Sequence, residues 1–192
     1  MQKDTKKGKP MINFELLNKK KTYIGLEYGT SFIAKQIRKF SKCYAPNSKE
    51  IPTHVLVLRY RYGSWWVYES HAKGNTDLGV PKGVRRYKVS IWRELEKDTE
   101  KNFKVFEQNV NRKKLEEYIG LPYGMGDIKS LLQASICKNN GQQKDCKGLI
   151  CSEYVAHCYT KICKYYKLPE HCITPAHFQN YFDEMGIKEV SE

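Results

Sequence analysis

The chain has 192 residues, 40% of them hydrophobic and 12% aromatic, and 34 Lys and Arg stand against 21 Asp and Glu for a formal net charge of +13. That length suits one domain with a sizeable core, and the composition is that of a globular chain. No stretch approaches the length of a membrane-spanning helix, and no apolar run of signal-peptide length follows the basic first residues, so no export leader is expected and a cytoplasmic protein is predicted. A phage- or virus-encoded origin would add release by lysis. The seven cysteines are odd in number and contain no C-x-x-C pair, so reduced thiols are expected and not a disulfide framework. The basic surplus suits an anionic partner such as nucleic acid, an acidic membrane surface or a cell-wall polymer, or it simply solubilises the chain.

Residues 1–11 are Lys-rich and aperiodic and read as a flexible basic tail, leaving 12–192 as a single domain. Phe32, Ile33, Ile37 and Phe40 recur at helical spacing with a basic outer face. Cys43 to Pro52 carries two prolines and reads as a loop. His54 then opens a strand through Arg61, Tyr62-Gly63-Ser64 forms a turn, and Trp65 to Ser70 runs back as the second arm of a β-hairpin. After a Gly-rich loop over 73–83, the alternation of Val84 to Arg93 predicts a third strand. From Leu95 to about Ile119 the composition is helical and highly charged, ending at Gly120-Leu-Pro-Tyr-Gly124. A short helix is expected over Ile128–Ile136, then a polar loop over 138–145. A helix runs from Cys151 to about Tyr166, with apolar positions at Ile150, Tyr154, Val155, Cys158, Tyr159 and Ile162. Thr174 and Pro175 read as the N-cap and first residue of a last helix. The order helix, strands, helices is an α+β pattern.

Cys151 heads its helix, where the positive end of the macrodipole favours a thiolate and so a nucleophile. Such a residue requires a base and an orienting group. If the hairpin pairs residue i with 125 − i, His54 lies opposite His71 and Glu69 opposite Leu56. Glu69 is then the diagonal neighbour of His54 on the same face, roughly 7–8 Å away at the backbone. A carboxylate there fixes the imidazole tautomer and stabilises its charged form.

These segments together resemble the permuted papain-like family known as YaeF/YiiX, related to the NlpC-type cell-wall peptidases. Phe32–Phe40 looks like the helix before that family's catalytic strand, and Thr53-His54-Val55 like its strand opening. Val67-Tyr-Glu69 resembles the acidic position on the next strand, and Gly83-Val84 the pair after it. Gly120-Leu-Pro-Tyr123 is similar to the segment before the nucleophile, Cys151-Ser-Glu-Tyr-Val-Ala to the nucleophile motif, and Ile173-Thr-Pro175 to the segment after the nucleophile helix. The match spans about residues 28–182 and keeps the order His, acid, Cys. It departs at Gly25-Leu-Glu-Tyr-Gly29, where a Gly-Asp segment is expected.

The resemblance implies a circularly permuted papain-like fold, an antiparallel sheet packed against the helix carrying the nucleophile. It also implies a Cys151–His54–Glu69 triad, a Tyr123 hydroxyl lent to the site, no cofactor, and a thioester acyl-enzyme formed from an amide or ester substrate. Such a substrate would be a peptide, a lipopeptide or a cell-wall fragment; an acyl acceptor other than water would make the enzyme an acyltransferase. Cys146, in Asp145-Cys-Lys-Gly148, is a rival nucleophile resembling that of unpermuted NlpC enzymes, but the histidines after it, His157, His171 and His177, fall in predicted helix or loop. Six cysteines lie between Cys137 and Cys172 at spacings wider than usual zinc pairs, so no metal is expected. The competing reading is a non-catalytic module. In it Arg59, Tyr60, Arg61 and Tyr62, with Trp65 and Trp66, set cations beside stacking rings for anionic lipid or nucleic acid; nucleic acid is the less expected partner.

Overall fold

Five strands, β1 (Thr22–Glu27), β2 (His54–Arg61), β3 (Ser64–His71), β4 (Gly83–Lys88) and β5 (Phe103–Glu107), form one antiparallel sheet in the order β4-β3-β2-β1-β5. The computed structural model describes residues 12–95, 103–124 and 148–190. The basic tail over 1–11, the helix expected over Ile128–Ile136, the polar loop over 138–145 and the rival Cys146 lie outside the described residues. The helices among the described residues are α1 (Phe32–Ser41), α2 (Val89–Leu95), α3 (Arg112–Glu117), α4 (Cys151–Cys158), α5 (Lys161–Tyr166) and α6 (Pro175–Glu184).

Strand alternation divides the apolar residues between two cores. Ile24, Leu26, Val55, Val57, Tyr68, Val84 and Phe106 point to one face, where Tyr154, Val155 and Cys158 of α4 cover them. Tyr23, Leu56, Leu58, Trp65, Val67, Tyr87 and Val105 point to the other, closed by Phe14 and by Trp92 of α2. A sheet buried on both faces explains why β1 and the first half of β2 read as near-continuous apolar runs. The mixed α/β architecture, with the Cys151 helix packed on the sheet, matches the expectation at that level.

Several elements differ from the sequence reading. β1 has no counterpart in it, yet the strand lies inside the sheet, between β2 and β5. Gly25 admits its neighbour: a Cβ there would collide with the Phe103 ring of β5. The charged stretch predicted as helix from Leu95 contains β5, because Phe103 and Val105 face one core and Phe106 the other, a period of two. The third strand stops at Lys88, and Val89 and Trp92, one helical turn apart, bury together from α2. The Cys151 helix ends at Cys158 and restarts at Lys161. There the Cys158 carbonyl accepts the backbone N–H of Asn111, the N-cap of α3, at 2.9 Å, and Tyr159 leaves the helical conformation. α1, with Ser31 as N-cap, and α6, with Thr174 as N-cap and Pro175 at its first position, stand where the sequence places them.

Candidate active site

The hairpin has the register sum expected of it, from Val57↔Tyr68 to Arg61↔Ser64. The ladder ends at Val57↔Tyr68, so the predicted His54–His71 and Leu56–Glu69 pairings are not part of it. Instead His54 pairs across the other edge of β2 with Glu27 of β1. The His54 and His71 rings still meet edge to face, with centroids 5.3 Å apart. The turn before α4 docks at this open end of the hairpin: the Ser70 hydroxyl of β3 donates to the Leu149 carbonyl.

His54 and Glu69 share a sheet face, as the odd register sum requires. His54 Nε2 stands 2.6 Å from Glu69 Oε2. An ionised carboxylate only accepts, so Nε2 carries the proton and Nδ1 is the ring nitrogen left for a thiol. Glu69 is 2% exposed, and its second oxygen is also fully engaged. Arg85 Nε and Nη2 both donate to Oε1, the former at 2.9 Å, and the Tyr87 hydroxyl donates there too. Arg85, itself 4% exposed, gives its remaining Nη1 to the carbonyls of Lys73 and Pro81 and so pins the loop before β4. A buried carboxylate satisfied on both oxygens is held rigidly in place.

Burial by itself would raise the Glu69 pKa. The hydrogen bond and charge of His54, with the charges of Arg85 and His71, outweigh it and hold the carboxyl well below its ordinary range. For His54, burial opposes the charged ring. The charges of Cys151 and Glu27 and the hydrogen bonds to Cys151 and Glu69 outweigh it and hold the imidazole well above its usual value. Cys151 thus lies close enough to His54 to favour its charged form. By strand parity the carboxylate face is the one α2 covers, whereas α4 packs on the other. Thiol and imidazole therefore meet at the end of the sheet, through the first residue of β2 and the first residue of α4.

The approach of Cys151 is fixed locally. The Ile150 backbone N–H donates to Glu153 Oε2, which satisfies one orphan donor at the start of α4. Tyr123 forms a parallel bridge with Leu149, whose N–H donates to the Pro122 carbonyl at 3.0 Å. Two glycines admit this segment: a Cβ at Gly148 would stand 2.5 Å from the Pro122 carbonyl oxygen, and one at Gly83 would overlap that of Leu121. Tyr123 thereby sits where burial, then the charges of Cys151 and Glu69, raise its pKa and keep the hydroxyl a neutral donor. Cys151 is 6% exposed.

Three site residues were missed from the sequence. Glu27, buried and accepting from the Trp92 indole N–H at 3.1 Å, is a second carboxylate beside His54. Its signal was a lone acid ending the apolar run Tyr23–Glu27, in the segment where the family pattern fails. Arg85 and Tyr87 had no signal until β3 and β4 were paired, which aligns Arg85 with Glu69. No group of His, Cys, Asp and Glu able to hold a metal occurs among the described residues, and none of their helices is long and apolar enough to cross a membrane. The cation–ring stretch divides by face: Arg59, Arg61 and Trp66 lie on the α4 side, Tyr60 and Trp65 on the other. No protein-family model matches the chain, and no curated protein matches it.

Proposed function

We propose that the protein is a thiol hydrolase of the permuted papain-like type, acting on an amide or ester bond through Cys151, His54 and Glu69. The observation that carries this reading is the 2.6 Å bond from His54 Nε2 to a buried Glu69, with Cys151 acting on the same ring. With the His54 ring held charged, the thiol proton already stands on the imidazole, and the Cys151 sulfur bonds to the substrate carbonyl carbon. The carbonyl π electrons move to oxygen, where backbone N–H groups at the start of α4 are placed to receive the charge. Collapse breaks the bond to the leaving nitrogen or oxygen, which takes the proton from His54 and leaves a thioester. Water then attacks, giving a proton to His54, and the cysteine sulfur departs as the acid forms.

Glu69 holds the tautomer and the charged ring throughout, Arg85 and Tyr87 hold Glu69, and the Tyr123 hydroxyl is a further donor beside the thiol. Peptides, lipopeptides and cell-wall fragments are the substrates to try. Incubated with such acyl donors, the wild-type protein gains the acyl mass on Cys151 in intact and peptide mass spectra, and Cys151→Ala gains none. An adduct carried by Cys146, with turnover surviving in Cys151→Ala, would overturn the assignment.

A further inference from the structure

At the opposite end of the hairpin, three guanidinium groups converge on one carboxylate. Arg59 Nη1 lies 3.3 Å from Glu116 Oε1, Arg61 Nη1 donates to the same oxygen, and Arg86 Nη1 donates to Oε2. The Tyr68 hydroxyl is a fourth donor to the carboxylate, reaching Oε1 at 2.7 Å. Register explains the cluster: Arg59 and Arg61 alternate on β2, and Val57↔Tyr68↔Arg86 runs across three strands, so all three arginines project toward α3.

Three positive charges around one negative charge leave a net of +2, although docking α3 to the sheet needs a single ion pair. Each guanidinium carries five N–H donors, far more than two carboxylate oxygens accept. The planes are also held in place. Arg86 lies over the Trp66 ring at 5.9 Å and Arg61 over Tyr62 at 4.2 Å, while the Trp66 indole N–H donates to the Arg61 carbonyl. Fixed arginine forks lose little conformational freedom on binding an oxyanion. The cluster is open to solvent, with the Arg86 side chain 39% and the Glu116 side chain 30% exposed.

We propose that Arg59, Arg61 and Arg86 form a binding site for a phosphate monoester dianion, and that Glu116 occupies part of it as an internal stand-in. A dianion matches the surplus charge, and its three terminal oxygens match three forks. The site is separate from the thiol centre: Arg61 is seven strand residues from His54, roughly 23 Å along β2.

The test is titration with inorganic phosphate at constant ionic strength, using chloride as the control, followed by calorimetry and thermal unfolding. The wild-type protein binds phosphate and unfolds at a higher temperature in it than in chloride. Arg86→Gln weakens phosphate binding about tenfold, the effect of removing one close charge. Glu116→Gln strengthens it about tenfold, because the competing carboxylate is gone. A purely structural cluster gives the reverse pattern: Glu116→Gln only destabilises, and phosphate acts no differently from chloride. If Glu116→Gln fails to fold, Arg86→Gln and Arg59→Gln decide alone, and affinities equal to wild type overturn the proposal.

Vesicles of phosphatidylcholine with and without phosphatidic acid then separate the sources of the phosphate. Arginine-dependent binding to phosphatidic acid vesicles identifies a lipid headgroup. Binding of inorganic phosphate without vesicle binding identifies a soluble monoester.

Discussion

The charges of Cys151 and Glu27 do most to keep the imidazole charged, and Glu69, its oxygens spent on His54, Arg85 and Tyr87, adds a hydrogen bond to them. The stability consequences have opposite signs at the two ends of the pH range. The folded pKa of His54 is raised, so its contribution is full below the ordinary histidine value and is lost as pH rises through the folded value. That of Glu69 is depressed, so its contribution is full above the ordinary carboxylate value and is lost as pH falls through the folded value. An NMR titration of the His54 Cε1–H resonance reads the first directly. The wild-type ring stays protonated well above the ordinary histidine range, and Glu69→Gln brings the midpoint down. A midpoint unmoved by Glu69→Gln would show that the carboxylate does not hold the charge. His54 and Glu69 were legible in the sequence because the period of two and a short turn bring them together. Glu27 and Arg85 were not, because their places depend on strands distant in the chain.

At the scale of elements, hydrogen bonds that diverge from the regular pattern set the boundaries. The last helix was legible from Thr174 and Pro175, but its cap has an unusual acceptor: His177 Nδ1 takes the Thr174 backbone N–H at 3.0 Å, the role a glutamate plays in a capping box. His177 is buried between the rings of Tyr44, stacked at 4.5 Å, and Tyr166, edge-on at 4.7 Å. Burial pushes its pKa down to about 4, and a protonated Nδ1 cannot accept the cap bond. Because the folded value lies below the unfolded one, stability is full above the ordinary histidine value and falls as pH drops toward 4. The loss amounts to about 3 kcal/mol at 1.36 kcal/mol per pKa unit. Urea unfolding at stepped pH shows this slope in the wild-type protein, and His177→Gln, which cannot titrate, flattens it. An unchanged slope would place the acid sensitivity elsewhere. The hairpin and the first and last helices were legible from spacing and caps. β1 and β5 were not: their pairing rests on the fit of the Phe103 ring over Gly25, a contact between residues far apart in the chain.

Across the whole molecule, one sheet carries two centres at opposite ends of the same hairpin. The thiol, imidazole and carboxylate gather where β2 begins and the β2–β3 ladder has opened; the arginines gather where the hairpin turns. The +13 surplus thus has at least one structured concentration, which the count of charges along the chain did not reveal. The central claim, that Cys151 is a nucleophile activated by His54, is tested most directly by mapping iodoacetamide labelling at neutral pH. Cys43 is exposed and supplies an internal reference. If His54 activates the thiol, the buried Cys151 reacts faster than Cys43, and His54→Ala slows Cys151 by about 100-fold or more while Cys43 is unaffected. Labelling of Cys151 that is slower than that of Cys43 and indifferent to His54→Ala would contradict it.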